Sequence, residues 1–305
     1  MNLRKLEYFI AVAEEGSISL AAQRLHMTQP PLSQAILSLE RDLGAALFRR
    51  HAKGIELTPA GALLLEQGRR LLRWSDRVGE EVQRIGSGET GHLRIASVPT
   101  FAWSHLAPLL VRLSEEAPGV TTELSDPGPA LVLDSVLGGE ADVGFVATSN
   151  PEGLAVSHPE LNVRTLAAIP LVLAAQAEAA TRVSLDELMG QTWIVPGPVP
   201  GFPGLIEIAE GLWRHPGHSP ASIQHVSTLQ TALPLVAAGL GIGLLPADFI
   251  SAASGRIGSL EVGEPIPPLY GTLVHSAQVE PSPALTSLLK IVSQHFGAPL
   301  VERES

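Results

Sequence analysis

The chain has 305 residues, 45% hydrophobic and 17% charged, a composition that suits packed cores in about two domains. It contains no cysteine, which excludes disulfides and thiolate metal sites and fits a reducing compartment. The net charge is −11, yet residues 1–90 carry 12 basic and 11 acidic side chains against 8 and 20 in the remainder, so an anionic partner is expected at the N-terminal end.

The first apolar run, residues 8–13, is fenced by Glu7 and Glu14, so there is no h-region of a signal peptide. Leu3, Leu6, Phe9, Ile10 and Ala13 instead mark one face of a helix that Gly16 ends. Ser17 caps a second short helix over 18–25, with Leu20, Ala21 and Leu25 inward. His26 and Met27 make a turn, and Thr28 caps a third helix whose inner face is Leu32, Ala35, Ile36, Leu39 and Leu43. Pro30 and Pro31 fall in its first turn, where backbone N–H groups lack helical partners, so they cost no hydrogen bond. This is the layout of a helix-turn-helix over residues 18–37. Its outward face holds Gln29, Pro30, Ser33, Gln34, Leu37, Ser38 and Arg41. Gln and Ser suit base edges and phosphates; an ordinary solvated face is the competing reading.

Leu47-Phe48 and residues 55–57 read as two short strands around a tip with Arg49, Arg50, His51, Lys53 and Gly54, a wing whose cations suit phosphates. Thr58-Pro59 starts a long helix reaching about residue 85. In it Leu64, Gly68, Leu71, Ser75, Val78, Val82 and Ile85 recur in steps of four and three, a coiled-coil seam that predicts self-association. Residues 86–88, Gly-Ser-Gly, read as a linker. From His92 onward strands and helices alternate, which predicts α/β sheets. Strands are expected over 93–98, 121–124, 142–147, 163–174 with a break at Pro170, 192–195, 223–226, 242–245 and 271–275. Helices are expected over 103–116, 130–137, 185–189, 229–238 and 283–295. The longest uncharged apolar stretch, 232–247, is 16 residues long and broken by Pro234, short of the about 20 that span a bilayer. A soluble, cytoplasmic protein is expected.

The runs N-L-R-K-L-E-Y-F-I-A-V-A-E-E-G-S (2–17), A-A-Q-R-L-H-M-T-Q-P-P-L-S (21–33), L-E-R-D-L-G-A-A-L-F-R-R (39–50) and L-T-P-A-G (57–61) resemble the LysR-type transcriptional regulators. Less specific matches follow at 93–100, 139–146 and 235–246. The resemblance implies a winged helix-turn-helix over 1–58 and a linker and dimerisation helix over 59–88. It implies an effector-binding domain over 89–305 with two α/β lobes, the second at about 163–265, similar to periplasmic binding proteins. Such regulators work as dimers, or dimers of dimers, on double-stranded operator DNA, and a small-molecule effector in the interlobe cleft alters the assembly. RNA polymerase is a further candidate partner; no membrane and no catalysis are implied.

The family's DNA-reading positions fall on Gln29, Pro30, Ser33, Gln34, Arg50 and Lys53, with the caps Ser17 and Thr28 beside them. Position 34 is usually basic in the family and 37 often so; Gln34 and Leu37 leave less charge on this helix, which shifts phosphate neutralisation to the wing. Dimerisation falls on Leu64, Leu71, Val78, Val82 and Ile85. The effector cleft falls on Ser97, Pro99, Thr100 and Phe101, on Val146 and Ala147, on Pro196, Gly197 and Phe202, and on Thr228. All lie where strands end and helices begin, where ligands meet free N–H groups, so an organic acid is the favoured guest. No cofactor beyond the effector is expected.

Other signals carry less. His215, His218 and His225 lack a cysteine or an acidic pair to complete a metal site. Gly239, Gly241 and Gly243 follow a helix and precede a strand, the reverse of a dinucleotide loop. No serine has the G-x-S-x-G setting of a hydrolase. Trp103 and Trp193 read as packing. A solute-binding module and an α/β enzyme are the competing classes; the helical triad with its basic wing argues against both.

Overall fold

The Asn2 side chain accepts a hydrogen bond from the Lys5 N–H and starts α1 (Leu3–Glu15), which Gly16 ends in the left-handed region at φ 59. Ser17 caps α2 (Ile18–Arg24) by accepting from the Leu20 N–H. His26, itself left-handed at φ 52, turns the chain into α3 (Gln29–Leu43). β1 (Phe48–His51) and β2 (Gly54–Leu57) pair antiparallel with Arg49 opposite Glu56, and α4 (Pro59–Ser87) follows. These elements belong to a computed structural model that describes residues 2–51, 54–87, 91–177, 182–214, 219–252 and 255–297. The chain divides into two compact units, Met1–Ser87 and Gly88–Ser305.

The first unit packs Leu6, Phe9, Leu32, Ile36, Leu39 and Leu47 into one core, and Leu64, Leu65 and Leu72 of α4 lean against it. Leu20 and Leu43, expected inward, stand exposed, and Ile18 and Ala22 take the inward places on α2. The L-T-P-A-G run has a steric cause. The Thr58 hydroxyl donates to the Ala46 carbonyl at 2.7 Å and accepts the Gly61 N–H at 3.0 Å. At Gly61 a Cβ would lie 2.1 Å from the Leu47 carbonyl oxygen, so only glycine lets α4 come this close. The expected linker at 86–88 does not start at Gly86: α4 continues through Ser87, because each added residue gains a bond once a helix is nucleated. Gly88 lies outside the described residues.

The second unit runs β3 (Gly91–Ser97), α5 (Pro99–Phe101), a π turn (Ala102–Leu106), α6 (Ala107–Glu116), β4 (Val120–Ser125), α7 (Pro129–Gly138), β5 (Val143–Thr148), α8 (Pro151–Ser157) and β6 (Leu161–Ile169). It continues with β7 (Leu171–Gln176), α9 (Leu185–Met189), β8 (Thr192–Pro196), α10 (Leu205–Trp213), β9 (Ser222–Val226), α11 (Leu229–Ala237), β10 (Ile242–Pro246), α12 (Ala247–Ala252) and β11 (Ile257–Leu260). β12 (Leu269–Ser276) and α13 (Pro283–Phe296) close it. Two five-stranded sheets form, ordered β4-β3-β5-β12-β6 and β11-β7-β10-β8-β9. Each has its own apolar core.

The chain passes between the lobes twice, at Pro170 and between β11 and β12. The second lobe therefore begins at Leu171, not near residue 163. β6 pairs with β12 in the first sheet along its whole length, and Pro170, which lacks an N–H, breaks the run where the chain changes sheets. Helices α8, α10 and α12 and strand β11 have no counterpart among the expected elements. In each lobe three strands run parallel, β4-β3-β5 and β9-β8-β10, which sets strand ends and helix starts side by side.

Candidate functional site

Thr28 occupies the N-cap position of α3 with extended backbone, but its side chain makes no capping bond. The cause is Pro30 and Pro31. A cap accepts from the N–H of the second or third helical residue, and here both are prolines, which have none. The hydroxyl, exposed, is therefore unspent. Pro30 and Gln34 are exposed beside it, with Gln34 bonded to nothing among the described residues, and Leu37 is 47% exposed. Gln29 is partly engaged: its carbonyl oxygen accepts from the Ser19 hydroxyl at 3.2 Å. Ser33 is half-buried. Ser38 turns inward, accepting from the Lys5 ammonium at 2.8 Å, and Arg41 donates to the Leu37 carbonyl. Ser17 is spent on its own cap at 3.4 Å. Arg50 lies on β1 opposite Ile55, while its side chain and all of Lys53 lie outside what is described. The neighbouring His51 of the wing sits 3.3 Å from the Glu56 carboxylate.

A charged clasp fixes this surface. Glu14 of α1 meets Arg24 of α2 at 2.7 Å and Arg69 of α4 at 2.8 Å. Arg24 first, then Arg69, hold the Glu14 carboxyl below its ordinary range by donating hydrogen bonds to the ionised form.

Along α4 the expected seam needs correction. Leu64 is drawn against the first unit's core, and Gly68 is buried where a Cβ would meet the Leu6 side chain at 2.7 Å. Besides Leu63 in its second turn, the helix leaves exposed an apolar stripe of Leu71, Trp74, Val78 and Val82, in steps of three, four and four. Trp74, 53% exposed, is the member that the expected phase skipped. The Ile85 side chain lies outside the described set.

In the second unit, Pro99, Thr100, Ala147, Pro196 and Gly197 line one cavity together with Phe202 and Thr228. The three remaining expected residues do not. Ser97 is fully buried and its hydroxyl donates to the Val98 carbonyl. Phe101 and Val146 belong to the first lobe's core, where the Phe101 ring stacks on Phe145 at 4.8 Å. Ser97 and Val146 alternate away from the cleft, Val98 and Ala147 taking the open side.

Thr100 is the second residue of α5, and the cap position is Val98. Thr100 is only 8% exposed as a residue and makes no hydrogen bond among the described residues, so its hydroxyl is open to the cavity it lines. The Thr228 hydroxyl is spent on capping α11, accepting the Thr231 N–H at 3.3 Å. The proline-rich loop of residues 197–204 closes one side. Phe202 is buried in the first lobe's core, and the Pro203 carbonyl accepts from the Thr148 hydroxyl at 2.7 Å and the Ser149 N–H at 3.0 Å. A loop rooted in the second lobe is thus tied to the first. Two polar residues were missed, Asp126 and Gln230. The run S-D-P-G-P at 125–129 joins a strand end to a helix start, the same signal that marks the other four segments.

A family model described as "LysR substrate binding domain" matches residues 86–297. A second, "Bacterial regulatory helix-turn-helix protein, lysR family", matches residues 3–62. The transcriptional regulator TfdS of Cupriavidus pinatubonensis is 32% identical over 267 residues, 87% of this chain and 88% of its own. The transcriptional regulator IlvR of Caulobacter vibrioides is 31% identical over 300 residues, 98% of this chain and 100% of its own. The crystal structure of CbnR, a LysR family transcriptional regulator, superposes with TM-score 0.70 at 28% identity, covering 97% of this chain and 99% of that one. Full-length CbnR complexed with its target DNA gives the same TM-score, 0.70, at 29% identity, covering 96% and 99%.

Proposed function

We propose a function from this premise: the chain belongs to the LysR family of transcriptional regulators. It is a ligand-responsive, DNA-binding regulator with a helix-turn-helix unit and an effector-binding domain. The reading of its sites is ours. α3 enters the major groove, Gln34 meets a base edge, Leu37 offers an apolar contact of the kind a thymine methyl takes, and Thr28 meets a phosphate. Arg50 and Lys53 on the wing add phosphate contacts. The observation that carries this reading is the unspent Thr28 hydroxyl beside the exposed, unpartnered Gln34.

The exposed stripe on α4 pairs two copies of the chain, and a dimer of dimers on the operator follows the habit of the family. RNA polymerase is a further partner on this reading. The protein works in the cytoplasm and has no catalytic role; no described helix is long and apolar enough to cross a membrane. The effector sits in the interlobe cavity and presents a carboxylate to the Thr100 hydroxyl, which lines that cavity and has no hydrogen-bond partner among the described residues. A mobility-shift assay with the chain's own upstream DNA tests the reading. A retarded band that survives excess random duplex is expected, and a band lost to competitor at equal mass contradicts it.

A further inference from the structure

The polar groups of the cleft are unevenly signed. Among the described residues no Lys, Arg or His lines the cavity, whereas the Asp126 carboxylate does. Asp126 is exposed at the cavity's mouth, in the loop from β4 to α7, held by Pro127 and Pro129. It makes no hydrogen bond or ion pair among the described residues. Gln230, in the first turn of α11, lines the same cavity, and its amide nitrogen is buried without an acceptor. With the Thr100 and Ser227 hydroxyls, neither of them bonded among the described residues, the cleft thus offers three unpaired donors and one unpaired carboxylate. A simple organic anion satisfies the donors but leaves Asp126 facing a like charge, and a dianion doubles that repulsion.

We infer that the effector is a small amino-acid-like zwitterion: its ammonium group pairs with Asp126, and its carboxylate accepts from Thr100 and Gln230. The inference rests on the reading that this cleft holds the effector. Charge sets the class and volume sets the size. The cavity holds about 120 Å³, close to the roughly 150 Å³ of an engineered cavity that takes up benzene. A short side chain, rather than a ring, fits beside the two charged groups. Because Asp126 sits at the mouth, its pairing with the ammonium weakens as salt rises.

The test uses the full-length chain and calorimetric titration with matched probes: the standard amino acids, each beside the acid that lacks the amino group. The expected result is that at least one amino acid binds and that its deaminated partner binds roughly tenfold weaker or more, the scale of a charge-assisted hydrogen bond. Asp126→Asn, at an exposed and unpartnered position, should abolish that preference and leave the melting temperature unchanged. Thr100→Val separates the two failures. If Thr100→Val weakens binding but Asp126→Asn does not, the cleft stands and the zwitterion is wrong. If neither changes the affinity of a bound amino acid, the cleft reading itself fails. Deaminated acids binding as tightly as the amino acids, or no amino acid binding at all, overturns the proposal.

Discussion

Thr28 caps α3 without a capping bond, Thr100 is the second residue of α5, and neither hydroxyl is bonded among the described residues. Thr100→Val keeps the shape and removes the donor, so effector affinity should fall by about 1–3 kcal/mol, roughly fivefold to two-hundredfold. DNA affinity without effector should not change. Titration of both proteins with the effector checks this, and equal affinities move the site elsewhere. Glu14 makes a pH-dependent prediction. Its carboxyl is held below the ordinary 4.5, so its contribution is present above that value and fades as pH falls through the lower, folded value. Glu14→Gln should therefore lower the melting temperature at pH 7, by the modest amount half-exposed ion pairs give. The gap between the two proteins should narrow as pH drops below 4.5; a gap that widens in acid contradicts the clasp. These assignments were only partly legible. Thr28 reads as a cap from its residue type, and only counting the N–H groups that Pro30 and Pro31 remove shows that it has nothing to cap. Ser97 and Val146 share the right segments with Thr100 and Ala147, but the two-residue period of a strand turns them inward, and Phe101 ends α5 stacked on Phe145.

The elements divide by how strongly their periodicity is written. α1, α3 and α4 follow the helical spacing closely, and β3, β5 and β10 are the short buried apolar runs of parallel sheets. α10 was not legible. L-I-E-I-A-E-G-L-W is short, β-branched at two positions and preceded by a proline- and glycine-rich loop, and burial in the second core rather than propensity makes it a helix. α4 shows the opposite difficulty: a heptad was visible but not which phase would be exposed. Leu64 and Gly68 close the helix onto its own domain, and Leu71, Trp74, Val78 and Val82 remain for a partner. Leu71→Asp should yield monomers in light scattering, with operator affinity falling as the second half-site is lost. Leu64→Asp should instead lower the melting temperature of the first unit, since it lodges a carboxylate against that core. An unchanged oligomer in Leu71→Asp removes the stripe from the account.

At the scale of the whole chain, residues 2–61 carry motifs whose order and spacing are specific, and the two α/β lobes were legible as a class. The lobe boundary was not, because a sequence shows where Pro170 breaks a strand but not that the halves join different sheets. The cleft was legible at four of its strand ends and missed at the fifth, where Asp126 stands. What unites the units is one claim: α3 reads a particular DNA sequence. Fluorescence anisotropy of the full-length protein on its own upstream duplex and on a random duplex of equal length, at fixed salt, tests it most directly. Specific binding is expected to be about 10³-fold tighter or more. Gln34→Ala should cost about 1–3 kcal/mol on the upstream duplex and almost nothing on the random one. Equal affinities for the two duplexes, or a Gln34→Ala loss shared equally between them, would contradict the claim.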